Sequence, residues 1–272
     1  MAAAIIRGIS AASTDRIVAS DIVISSRSIV SAQRLANEVG ARAVTSNIEL
    51  VTTCDVIILA VKPHAITAVL DEVRHLVDPA RHVVVSLAAG TPLMTLNTHL
   101  PHHTPVIRVM PNVNASVGQS MTGVCPNGAV SDSMLDTVMS MMGCVGRCLV
   151  IDETQFPVFS AIAGCSPAWL MTAIDGLALA AVKHGMPKSQ AVEVVAQAML
   201  GSAAQVLATD STHTSPRTLA DRVCSPGGTT IAGLLAADHA GAFTGLVAAV
   251  DAAIARDRAI ASQHTTSSQQ AN

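Results

Sequence analysis

Aromatic side chains are nearly missing from this 272-residue sequence, which has no Tyr, one Trp and three Phe. Bases would find few rings to stack on, and with 16 basic against 19 acidic residues there is no basic surplus to track a phosphate backbone. The sequence gives no support for nucleic acid as a partner. Metal-binding patterns are missing too. The six cysteines form no Cys-x-x-Cys pair and have no His at zinc spacing, and the adjacent His102 and His103 lack a carboxylate or Cys to complete a ligand set. No metal site is expected, and the thiols are expected to be reduced and mostly buried. Long apolar runs are also lacking. Asp55 and Lys62 bracket a run of six, and Asp175 and Lys183 bracket one of seven, against the roughly 18 to 20 residues of a spanning helix. The first residues, Met1 to Gly8, have no basic leader and break at Arg7. A cytoplasmic protein with no membrane partner is the expectation.

What is present is half hydrophobic residues, organised in two styles. Up to about residue 153, strand-like and helix-like segments alternate, which is the pattern of a parallel sheet with crossover helices. Helices are predicted at 1–12 and at 28–39, the latter closed by Gly40. Strands are predicted at Ile22-Val23-Ile24, Ala41–Val44, Asp55–Val61, His82–Leu87 and Val106–Met110, and around Val124 and Leu149-Val150-Ile151. Pro63 opens a helix with Ile66, Val69, Leu70 and Val73 on one face. After residue 153 only helices are predicted: a long one from Phe156 with a weak point at Gly164 and Pro167, a corner at Lys183-His184-Gly185, a second starting after Pro187, and others near Leu219, Ile231 and 243–261. Residues 1–153 therefore read as an α/β domain, 154–261 as an all-α domain, and 262–272 as a polar, disordered tail.

Chemistry is suggested at three places. Ser225-Pro226-Gly227-Gly228-Thr229-Thr230 enters an apolar helix through a Pro-Gly turn, and a helix start of this kind holds a small anion such as a carboxylate. An ordinary cap is the competing reading. Ser25-Ser26-Arg27 follows a strand with no acidic residue beside it, which favours a 2′-phosphate over a free 2′-hydroxyl, hence NADP(H) over NAD(H). Ala60-Val61-Lys62-Pro63 ends the most apolar strand, where open sheets place ligands. Cys165, in Gly164-Cys165-Ser166-Pro167, has no basic neighbour and reads as a small residue at a helix bend.

The ordered set Ala60–Pro63, Ser86-Leu87-Ala88-Ala89-Gly90, Arg108–Asn112, Gly164–Ala168 and Asp221–Thr230 resembles the pyrroline-5-carboxylate reductase family over nearly the whole chain. The resemblance implies a Rossmann-like N-terminal domain and a helical domain that interlocks with its partner in a homodimer, with dimers assembling further. It assigns Ser26, Arg27, Asn47, Ala60, Lys62 and Pro63 to the cofactor, and Val223, Ser225, Gly227, Gly228, Thr229 and Thr230 to the substrate. The reaction it implies is reduction of 1-pyrroline-5-carboxylate to L-proline by NAD(P)H, the last step of proline synthesis, with Thr230 hydrogen-bonded to the ring nitrogen.

Two departures accompany the resemblance. Ser166 stands where the family has Gly. The family's first strand and its glycine-rich loop, which carries the cofactor pyrophosphate, have no counterpart before Met1-Ala2-Ala3-Ala4. Two further readings therefore stay open beside the reductase, with a true start upstream of Met1 as the explanation that favours it. One is a non-catalytic relative that still dimerises, and the other is an NADP-dependent reductase of another imine or small acid.

Overall fold

The structure is a computed structural model that describes residues 1–12, 17–210 and 214–269, with side chains placed through residue 259. The chain divides into two compact units, Met1–Gly164 with Ile254–Asn272, and Cys165–Ala253. By packing, the first unit runs on to Gly164, past the boundary expected near residue 153. Phe156 explains the shift, because it is 2 % exposed inside the first unit's core beside Leu59, Leu93 and Val106 and carries residues 153–164 with it.

The first unit alternates helices α1 (Ala2–Ala12), α2 (Ile29–Val39), α3 (Asn47–Thr53), α4 (Ile66–Val73), α5 (Leu93–Thr98) and α6 (Asp132–Gly143) with strands. The strands are β1 (Val23–Ser25), β2 (Arg42–Val44), β3 (Val56–Leu59), β4 (Val83–Ser86), β5 (Val106–Met110), β6 (Ser120–Pro126) and β7 (Gly146–Val150). Local chemistry fixes several boundaries. The Ser28 hydroxyl accepts from Ser31 N–H to open α2, and Gly40 closes it at φ 77°. Ser46 caps α3 by accepting from Ile48 and Glu49 N–H. Each strand expected from sequence is present.

The strands form two sheets, β1-β2 and β3-β4-β5-β6-β7. All pairings are parallel except β5 with β6, which is antiparallel. This departs from the uniformly parallel expectation because residues 111–119 are too few for a helical crossover; they turn through a 3₁₀ segment and Gly118 at φ 69°. The middle strands of the larger sheet, β4 and β5, are buried on both sides. Its pleat sends Ile57, Leu59, Val84 and Val106 into one core and Val83, Val85, Ile107 and Val109 into the other, where α1 and α6 cover them with Ile5, Ile9, Val138 and Met142. Ile24, Ala32 and Ala36 make a smaller core under β1 and α2.

After α7 (Phe156–Phe159), residues Ser160–Cys165 widen into π-helical turns, at the weak point read from Gly164 and Pro167. The second unit then contains α8 (Ser166–Lys183), α9 (Lys188–Ala208), α10 (Pro216–Asp221), α11 (Thr229–His239) and the start of α12 (Ala242–Gln269). The α8 to α9 corner is built as expected: Gly185 has φ 97°, its N–H donates to Val182 O, and Met186 N–H donates to Ala181 O. Lys188 Nζ and Asp175 Oδ1 join the two helices at 2.5 Å.

Two expectations are corrected here. The helical stretches Glu153–Lys183 and Lys188–Ala208 are each long and apolar enough to cross a membrane by length and composition. Counting runs between charges missed them, because a helix can carry a few charges and remain apolar along its length. The second correction concerns the end of the chain, where α12 continues to Gln269 through most of the segment expected to be disordered. No Gly or Pro follows Gly245, so nothing in the sequence breaks the helix. Residues 270–272 of that segment lie outside the described residues.

Candidate functional site

The cofactor-side residues lie at the carboxyl ends of β1, β2 and β3. Ser26 begins the turn after β1; its hydroxyl donates to Ser28 O at 2.8 Å and accepts from Ser28 N–H. Arg27 is exposed and forms no ion pair among the described residues, so its guanidinium is available to a phosphate. Asn47 begins α3 and is fixed from both sides, accepting from the Ser25 hydroxyl at 2.9 Å and donating to Glu72 Oε2 at 2.8 Å. Ala60 and Lys62 are exposed after β3, and Lys62 O accepts from Ala65 N–H in the turn that Pro63 opens. These six residues belong to one unit and to one end of its strands. From this point the neighbouring strands run one way to β2 and the other way to β4, which is where open α/β sheets place their ligands.

The substrate-side residues lie in the second unit. Gly227 has φ 70°, and Gly228 N–H donates to Ser225 O at 3.0 Å, which closes a Pro-Gly turn. Gly228 is then the N-cap of α11, and no side chain caps it. A Cβ on Gly228 would lie 2.4 Å from Ser225 Oγ and 3.1 Å from Ser225 O, so a larger residue there would have to turn the Ser225 hydroxyl aside. Thr229 and Thr230, in the first turn of α11, are exposed, as is Val223. The helix start thus presents backbone N–H groups that an anion can occupy. Neither threonine hydroxyl caps the helix, and the turn itself has the Pro-Gly form of the competing reading.

Sequence reading gave no role to Arg108, Asn112 and Glu153; the fold joins Arg108 to Glu153 and Asn112 to the π-helical segment. Arg108 is 8 % exposed, lies 4.0 Å over the Phe156 ring and donates to Glu153 Oε1 at 3.1 Å. The same oxygen accepts from Leu93 N–H at 2.7 Å. Asn112 Nδ2 donates to Ala163 O at 2.9 Å in the π-helical segment. Their signal was present in the Arg108–Asn112 motif, but their partners are remote in sequence. The cysteines correct another expectation: only Cys125 is buried, Cys165 is exposed and the other four are half-buried. Burial pushes the Cys54, Cys125, Cys144 and Cys148 thiols up, away from the reactive thiolate. Among the described residues no group of three or more His, Cys, Asp or Glu gathers into a metal site.

Comparison with known proteins places this geometry. Residues 153–260 match the family described as "Pyrroline-5-carboxylate reductase dimerisation", and residues 1–90 match "NADP oxidoreductase coenzyme F420-dependent". The pyrroline-5-carboxylate reductase of Escherichia coli (strain K12) is 40% identical over 72% of this chain and 72% of its own length. The chain belongs to the pyrroline-5-carboxylate reductase family. The fold agrees over a longer span. The crystal structure of the Streptococcus pyogenes member has a TM-score of 0.81 at 34% identity, covering 95% of each chain. The Plasmodium falciparum member, solved with NADP bound, has a TM-score of 0.82 at 26% identity over 95% of this chain and 93% of that one. The Rossmann-like sheet domain and helical dimerisation domain expected from the sequence are therefore those of the family.

Proposed function

We propose that this chain reduces 1-pyrroline-5-carboxylate to L-proline with NADPH. The carrying observation is the Ser225–Thr230 turn, in which Gly227 at φ 70° leads into a helix N-terminus that no side chain caps. The N–H groups of the first turn of α11 hold the substrate carboxylate, and the helix dipole adds to that attraction. Val223, Ser225, Gly227, Gly228 and Thr229 shape this pocket. The Thr230 hydroxyl hydrogen-bonds the ring nitrogen and orients the C=N bond. When bound, the reduced nicotinamide supplies a hydride to the carbon of that bond; the nitrogen takes a proton from Thr230 or from water.

For the cofactor, the exposed Arg27 and the absence of an acid beside it fit a 2′-phosphate, with Ser26 and Asn47 at the adenosine end. Ala60, Lys62 and Pro63 flank the same dinucleotide after β3. Free thiols fit a reducing, cytoplasmic compartment. Exposed apolar residues on α8 and α9, including Leu177 and Leu200, fit a homodimer paired through residues 154–261.

The separation of β1-β2 from the larger sheet favours a second reading, in which this chain pairs with a copy of itself but binds no dinucleotide. One titration separates them. NADPH binding followed by its fluorescence, then NADPH oxidation with 1-pyrroline-5-carboxylate, should both be positive; binding without turnover removes this substrate, and no binding leaves the second reading. Thr230→Ala should lower kcat by about 10²-fold or more with NADPH affinity retained. An unchanged kcat would remove Thr230 from the mechanism.

A further inference from the structure

Two motifs picked out in the sequence, at 86–90 and 108–112, have no part in the reaction proposed above, yet the Glu153 carboxylate joins the segment after the first to the second. We propose that Glu153, held by Arg108, is a positioning residue for the cofactor: it fixes the loop of residues 87–92, which meets the dinucleotide beside Ala60, Lys62 and Pro63. This role rests on the NADPH-dependent reading of the same site. All the residues concerned lie in the first unit. Because β3 and β4 are parallel, with Leu59 opposite Ser86 and Leu87 N–H donating to Leu59 O at 3.0 Å, residues 60–63 and 87–92 leave the same end of the sheet side by side. Ala89 is exposed and Gly90 turns at φ 70°. The N–H groups of these two residues donate to no acceptor among the described residues, and bare donors at the carboxyl ends of parallel strands suit a ligand.

The loop is held at its start by its own neighbourhood and at its end from far along the chain. The Ser86 hydroxyl accepts from Ala88 N–H at 3.3 Å. At the other end the chain enters α5 through Pro92, whose side chain has no acceptor for the first N–H groups of the helix. Glu153, 60 residues away from Leu93, supplies one: its Oε1 accepts from Leu93 N–H at 2.7 Å, and an acid at a helix start is favoured by the dipole as well. Arg108 keeps that oxygen in place. Its guanidinium lies against the Phe156 ring, and its side chain is only 10 % exposed, so it grips Glu153 Oε1 with little competition from water. Without the carboxylate, hydrogen bonds would hold the loop at its start alone.

The test uses the full 272-residue chain and separates reach from charge. Glu153→Gln keeps an acceptor at full reach and loses the charge, whereas Glu153→Asp keeps the charge for Arg108 and falls one methylene short of Leu93. For each chain, NADPH Kd is read by its fluorescence, KM for 1-pyrroline-5-carboxylate by NADPH oxidation, the Leu93 amide by hydrogen exchange, and the fold by circular dichroism. Glu153→Asp should raise the NADPH Kd about 5- to 10-fold and quicken exchange at Leu93, with the KM for the imine within about twofold. Glu153→Gln should bring all three readouts back to within about twofold of wild type. Unchanged NADPH affinity in Glu153→Asp, equal losses for Asp and Gln, or equal changes in the NADPH and imine constants overturns the role. Loss of the fold in Glu153→Asp overturns it too, since positioning requires only a displaced loop. A wild-type chain that binds no NADPH ends the reductase reading and this role with it; normal wild-type binding with an indifferent Glu153→Asp ends this role alone.

Discussion

Glu153 serves two partners in the first unit. Its Oε1 answers both the Arg108 guanidinium and Leu93 N–H, so removing it strands a cation that is 8 % exposed and a backbone donor in a half-buried place. Glu153→Ala should cost about 2 to 4 kcal/mol in urea unfolding, and Glu153→Gln clearly less, because the amide oxygen still accepts. Equal losses for the two would show that charge alone matters. His82 gives the pH dependence. It is 2 % exposed, its Nδ1 accepts from Asp78 N–H at 2.8 Å, and burial holds its pKa below the ordinary 6.5. The unfolded chain therefore binds a proton near pH 6.5 that the folded chain refuses, so His82 contributes full stability above that pH and loses it as pH falls. Wild type should lose up to about 1.4 kcal/mol per pH unit more than His82→Gln between pH 6.5 and 5. Parallel curves would assign the acid sensitivity to other groups.

At the scale of elements, helix punctuation was the most legible part of the sequence. Gly40, Gly185 and Pro63 each end or open a helix where residue type alone placed them, because positive φ and a fixed φ are properties of single residues. Gly185→Ala should therefore lower stability by about 1 kcal/mol without changing the helix content, read by thermal melting and circular dichroism. Strand direction was not legible in the same way. The antiparallel β6 depends on the length and path of residues 111–119, and its side chains look like those of any buried strand. The π-helical widening at Ser160–Cys165 was visible only as a weak point; that Asn112 would take Ala163 O depends on β5 ending where it does.

For the whole molecule, the exposed apolar surface of α8 and α9 carries the assembly prediction. Leu170, Met171, Leu177, Leu200 and Leu207 are each more than half exposed, more than water tolerates on a single copy. Sedimentation should find a dimer or a larger even assembly, and Leu177→Glu with Leu200→Glu should shift it toward the monomer. A monomeric wild-type chain would overturn this reading. The sequence by itself determined the α/β-then-α order, the capped helix ends, and the Pro-Gly-Gly turn before α11, since each rests on the conformational limits of residues next to one another. Tertiary structure decided the rest: that the Thr229 and Thr230 hydroxyls leave the helix N-terminus open, that Arg108 meets Glu153, and that the strands close into two sheets with a cleft between β1 and β3. These depend on which distant segments pack together, and burial and backbone pairing settle that only when the chain has folded.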